Sequence, residues 1–234
     1  MPSNGTIYYQ YVTPVNVGAA ISPLPASDPG YAQDAQDYRA VNFGVKAIQT
    51  RINEMGFANP NNSALTVDGF FGTRTAWGIG WAQGKLGVGV DGQAGPITLK
   101  SMLWPVIKAL PYNSTILHVV GGICQHESGY DPGAVGEPDP HDIGLVQING
   151  PANPSLSEAQ RFDYHVAFKY AADRIAAALG TPGYTLDAAI ASYGYPSVAA
   201  YWVKSGTETF PTNLALNQLA LDYVHYIRNW VSPS

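Results

Sequence analysis

Val67-Asp68-Gly69-Phe70-Phe71-Gly72-Thr73-Arg74-Thr75 decides how this chain is read, because it returns twenty-three residues on as Val90-Asp91-Gly92-Gln93-Ala94-Gly95-Pro96-Ile97-Thr98. Both copies follow DGxxGxxT. Asp-Gly is a tight-turn pair, the second glycine tolerates a positive φ, and the next residues open a helix, with Pro96 suited to its first position. Upstream, Val41, Val45, Ile48, Ile52 and Met55 recur at i, i+4, i+7, i+11 and i+14, one apolar face of a helix that ends at Gly56. Three short helices tied by two equivalent turns therefore fill residues 40–104.

This pattern resembles the three-helix peptidoglycan-binding domain carried at one end of many cell-wall hydrolases. The matching residues are Ile48-Gln49 on the first helix, Val67 to Thr75, Gln83 on the second helix, and Val90 to Thr98. The aspartates and glycines serve as turn formers that identify the fold without marking the ligand site. The resemblance implies peptidoglycan as partner, and Trp77, Trp81 and Gln83 are the candidate wall contacts. The two tryptophans, at i and i+4, read either as a sugar platform or as core.

Residues 1–38 are expected to form an irregular arm. Pro14, Pro23, Pro25 and Pro29 break any helix there, and Ile7 to Val12 is its one strand candidate. A boundary is expected near Trp104-Pro105, beyond which the chain reads as mostly helical. Ile116, Val119, Val120, Ile123 and Cys124 form one apolar stripe. Ser157 with Gln160 makes a capping box for a long helix running to Leu179-Gly180. Leu186 to Ile190, Val198 to Val203, and Leu216 to Ile227 mark three more helices. Between the first and second lies a polar, Gly/Pro-rich stretch, residues 128–154, where function is usually housed.

The chemistry in that stretch starts with Glu127, which closes the apolar helix ahead of a C-capping Gly129. A carboxyl against core, at the negative end of a helix dipole, disfavours its ionised form, so a raised pKa is expected. Such an acid suits protonation of a glycosidic oxygen. Asp142 follows fifteen residues on, beside an apolar run suited to a strand. If that strand folds back across the helix end, the two carboxyls face each other, with Asp142 expected as the ionised partner. Asp131-Pro132 reads as a turn. Glu137 and Asp139 read as solvated loop charges that are able to stand in for Asp142.

His126-Glu127-Ser128-Gly129 together with Asp142-Ile143-Gly144-Leu145-Val146-Gln147-Ile148-Asn149 resembles the active-site signature of the lysozyme-like superfamily, which includes lytic transglycosylases. The aspartate two before the glycine is most similar to the chicken-type lysozyme strand. Ala188 to Tyr193 approximates the transglycosylase Ala-Tyr-Asn helix end, with Gly194 in place of asparagine. The resemblance implies Glu127 and Asp142 as catalytic residues, and Ser128, Gln147, Asn149 and Tyr193 as substrate contacts. It leaves two routes open. Asp142 either supports hydrolysis as stabiliser or nucleophile, or stands aside while Glu127 alone closes a 1,6-anhydro ring.

Rival chemistries find little support. HExxH needs a second histidine where Tyr130 stands, Cys124 lies on the apolar stripe, and neither Walker nor dinucleotide fingerprints occur. The net charge of −5 argues against nucleic acid, one cysteine precludes an internal disulfide, and no apolar run reaches membrane-span length. Charged residues are only 12% of the chain while tyrosines number 15, a surface suited to an uncharged or carbohydrate partner.

The expected fold is mainly α: an arm over 1–38, a three-helix peptidoglycan-binding domain over 39–104, and a lysozyme-like α+β domain with a small β region over 105–234. The expected protein is a monomer without cofactor or metal. The resemblance implies a cell-wall glycosidase, with a non-catalytic wall binder as the alternative. The lack of a visible export signal in the sequence suggests a bacteriophage endolysin, held in the host cytoplasm until it reaches the wall.

Overall fold

The computed structural model describes residues 31–59, 62–136 and 139–233, with side chains from Arg39 onward. The strand candidate Ile7 to Val12, and Glu137, fall outside these residues. The elements are α1 (Tyr31–Glu54), α2 (Thr73–Leu86), α3 (Pro96–Lys108), α4 (Ser114–Glu127), β1 (Asp142–Ile143), β2 (Ile148–Asn149), α5 (Glu158–Phe162), α6 (Tyr164–Leu179), α7 (Leu186–Gly194), α8 (Pro196–Ser205) and α9 (Leu214–Arg228). The protein is thus mainly helical, with one two-stranded sheet among the described residues. Among the described residues, no helix is long and apolar enough to cross a membrane.

Two expectations about boundaries are corrected. Helix α1 begins at Tyr31, so the last eight residues assigned to the irregular arm are helical. After Pro29-Gly30 the chain offers Ala, Gln and Tyr with no further breaker, and that composition favours helix. The long helix expected from Ser157 stops at Phe162. The Ser157–Gln160 capping box is present, but Asp163 takes an extended conformation and caps α6, accepting from the His165 N–H at 2.8 Å.

By proximity the chain forms two compact units. The first takes the described residues of Met1–Pro105 together with Glu127–Ala167; the second takes Val106–His126 with Phe168–Ser234. In the first unit Val45, Ile48 and Ile52 bury the inner face of α1 alongside Ile79, Ala82, Leu99 and Met102. Val41 faces out and Ala40 is buried in its stead. The Phe43 ring stacks on Phe162 with centroids 4.9 Å apart, so α1 also supports the segment that carries the hairpin. In the second unit the predicted stripe on α4 is buried throughout, and Val198, Trp202, Ala220 and Ile227 complete the core. There the Trp202 indole N–H donates to Asn217 Oδ1 at 2.8 Å, which satisfies both buried polar groups.

Candidate functional site

Each DGxxGxxT turn is closed by one buried glutamine. Gln49 Nε2 donates to Asp68 Oδ1 at 2.9 Å and lies 3.1 Å from both the Phe70 carbonyl and Thr75 Oγ1. Its Oε1 accepts from the N–H groups of Asp68 and Gly69. Gln83 repeats the arrangement: Nε2 reaches Asp91 Oδ1 at 2.7 Å, the Gln93 carbonyl at 3.0 Å and Thr98 Oγ1 at 3.0 Å, while Oε1 accepts from Asp91 and Gly92. Each aspartate also accepts from the backbone N–H two residues on, at 2.9 Å. The requirement for glycine is steric as well as conformational. Gly69 has φ +80°, and a Cβ there would lie 2.9 Å from the Asn42 carbonyl oxygen.

These clamps fix the charge state of the turns. At Asp91 the Gln83 amide, then the Gln93 N–H, holds the carboxyl below its usual range. At Asp68 burial opposes this, but the Phe70 N–H and the Gln49 amide prevail. Gln83, a candidate wall contact, is only 1% exposed, with both ends of its amide used inside the unit. It holds the fold and has no surface to offer a ligand. Trp77 is 55% exposed. Trp81 is half-buried, edge-on to Phe57 at 5.4 Å, with the Lys85 ammonium 4.9 Å from its ring centroid. The pair therefore divides between surface and support.

In the 127–167 part of the same unit, Glu127 is the half-buried last residue of α4. Gly129 and the fully buried Tyr130 follow at φ +64° and +71°. A left-handed tyrosine is strained, and such strain persists where the surroundings over-determine it, commonly at functional sites. Ser128 is 2% exposed, and its hydroxyl donates to the Leu145 carbonyl at 2.9 Å. Its observed contact is thus with the backbone of the loop joining β1 and β2, not with open space. The strands pair antiparallel, Asp142 with Asn149 and Ile143 with Ile148, and Val135 bridges to Ile143.

The carboxyls foreseen from sequence are brought into one electrostatic neighbourhood. Burial is the largest cause pushing Asp142 above the usual carboxylate range, and the negative charges of Asp139 and Glu127 push the same way. A hydrogen bond from Asn149 opposes them. The surroundings of Asp142, expected as the ionised partner, thus push its carboxyl upward without deciding its charge. Asp139 is held low by the N–H and ring of His141, whose Nδ1 lies 2.7 Å from Oδ1.

Asn149 holds the loop from both ends of its amide. Nδ2 donates to Asp139 Oδ2 at 3.4 Å, and Oδ1 accepts from the Ala152 N–H at 2.9 Å. Gln147, at φ +50°, donates to the Gly144 carbonyl at 2.9 Å. A brace that sequence reasoning missed is Arg161, whose Nη1 donates to the carbonyls of His141 at 2.9 Å and Ile148 at 3.2 Å. Gly144 has to be glycine here: at φ +75°, a Cβ would lie 2.4 Å from the Arg161 carbonyl oxygen. Tyr193 belongs to the second unit, half-buried at the end of α7 with the Arg174 guanidinium 5.2 Å from its ring centroid. Among the described residues, no group of three or more His, Cys, Asp or Glu is placed to hold a metal ion.

Residues 44–102 match the family described as "Putative peptidoglycan binding domain". No curated protein matches the chain, and no solved structure does. The matched residues span both glutamine clamps and their turns, which supports a wall-binding module in a cell-wall-associated protein.

Proposed function

We propose that this protein is a peptidoglycan glycosidase that holds the wall through residues 44–102 and cleaves the β-1,4 bond between N-acetylmuramic acid and N-acetylglucosamine. Glu127 is the general acid. The observation that supports the reading is that Ser128, next to Glu127 at the end of α4, ties down the hairpin loop, while the charge of Glu127 acts on Asp142. Glu127 donates its proton to the leaving glycosidic oxygen as the C1–O bond breaks, and water adds at C1, giving a proton back to the Glu127 carboxylate. Holding the polymer that is cut raises the local concentration of scissile bonds.

A second reading is favoured by the burial of Asp142, which disfavours its charged form. A carboxyl whose charged form is disfavoured is a weaker nucleophile and a weaker partner for a developing cation. In that route Glu127 acts alone, first as acid and then as base, accepting the 6-hydroxyl proton as that oxygen closes on C1 to give a 1,6-anhydro product. Mass analysis of digested muropeptides tests both. Hydrolysed ends carry one water more than anhydro ends, and Glu127→Gln is expected to release neither. Wall binding with no released fragments from the native chain would overturn both and leave a wall-binding protein.

A further inference from the structure

Arg174 lies one turn beyond Tyr170 on α6, and its guanidinium carbon is 5.7 Å from the Tyr170 ring centroid and 5.2 Å from that of Tyr193. The two rings meet edge-on with centroids 6.5 Å apart. One N–H donates to the Tyr170 hydroxyl at 2.9 Å and another to the Ser192 carbonyl at 3.4 Å. A guanidinium has five N–H donors in a rigid planar fork, so the exposed edge keeps donors for a ligand. The adjacent acid does not neutralise it: Asp173 is taken by the Lys169 ammonium at 2.6 Å and by the Tyr112 hydroxyl. Among the described residues no carboxylate forms an ion pair with Arg174.

A cation held against two rings, exposed and without a counter-charge, is pre-organised for a planar anion, because part of the ordering cost of binding is already met. A neutral glycan gives such a group little to bind. The peptides borne by the glycan strands carry carboxylates beside amide and alkyl surface, which match a guanidinium fork flanked by aromatic rings. We propose that Tyr170, Arg174 and Tyr193 form a receptor for a carboxylate of the peptidoglycan stem peptide, so that the enzyme selects peptide-bearing strands. This rests on the reading of peptidoglycan as the ligand.

The test is titration of the full chain, labelled at arginine side chains, with a soluble stem peptide bearing free carboxylates and with its fully amidated counterpart. The Arg174 Nε–H resonance is expected to shift with the first peptide only. Arg174→Met is expected to weaken binding of the free-carboxylate peptide about tenfold, with Arg174→Lys recovering part of the loss, since an ammonium lacks the bidentate fork. Equal shifts with both peptides, or none with either, overturn the proposal. Should Arg174→Met fail to fold, the two titrations of the native chain decide alone. Binding is read without turnover, so a chain that cuts no wall substrate sinks the glycosidase reading while this result stands on its own.

Discussion

The two turn clamps and the Glu127–Asn149 segment lie in one compact unit yet use polar groups in opposite ways. Around Gln49 and Gln83 the amide donors and acceptors meet partners, and the aspartates are held in their charged form. Around the hairpin, burial pushes the Asp142 carboxyl up, and the charges of Asp139 and Glu127 act the same way. The first arrangement settles polar groups for the sake of the fold. The second keeps a carboxyl in an unfavourable environment, as expected of a region kept for chemistry.

The largest test of that contrast is Glu127→Gln. Loss of a general acid costs on the order of 10²–10⁴ in rate, so wall clearing should fall by that range while wall binding and the melting transition stay near those of the native chain. Equal losses of activity and stability would assign Glu127 to the fold and erase the distinction.

The converse holds for the clamps. Gln49→Ala or Gln83→Ala strips the Asp-Gly N–H groups of their acceptor and should cost about 2–4 kcal/mol, from several lost hydrogen bonds and buried groups left unpaired. Urea unfolding of the two variants is expected to give similar losses. A much smaller effect at either position would break the equivalence of the two turns.

The turns themselves were legible because Asp-Gly and the spaced glycine state a local conformation within a few residues. The glutamines were legible as pattern but not as purpose. Gln83 reads as a surface contact because glutamine is usually exposed, and its burial follows from tertiary closure on Asp91 and Thr98. The signal was present in the repeat: each turn has one helical glutamine ahead of it, and a ligand contact has no reason to be duplicated in that way. The α1 register slipped at Val41 because the helix buries Ala40 against Phe162 and Ile143, contacts that no local periodicity reveals. The hairpin was legible in outline, whereas the upward push on the Asp142 carboxyl was not, since it depends on burial, and then on the charges of Asp139 and Glu127, all set by the fold.

Trp77 and Trp81 sharpen the comparison within the matched module. Trp77→Ala removes an exposed ring and should weaken retention on purified walls without shifting the unfolding midpoint. Trp81→Ala removes the edge contact with Phe57 and the Lys85 cation–π contact, and should cost about 1–2 kcal/mol of stability. If both variants lose stability alike, the exposed ring is not a ligand contact and wall binding lies elsewhere in residues 44–102.

The smallest expected effect is also the one that separates the two regions by sign. A carboxyl whose folded pKa is lowered, as at Asp68 and Asp91, contributes stability above its unfolded value, near 3.8, and loses it as pH falls through the lower folded value. At Asp142 the folded pKa is raised, so the folded state binds the proton more tightly and its neutral-pH cost is relieved as pH falls from the folded value toward 3.8. Asp142→Asn should therefore stabilise the chain at neutral pH, with the gain shrinking as the solution approaches pH 4. Asp68→Asn and Asp91→Asn should destabilise it at neutral pH, with the deficit shrinking only below 3.8. Melting curves collected at stepped pH resolve the two slopes. A common sign for all three substitutions would mean that Asp142 is one more structural carboxylate, and the contrast between clamps and hairpin would fail.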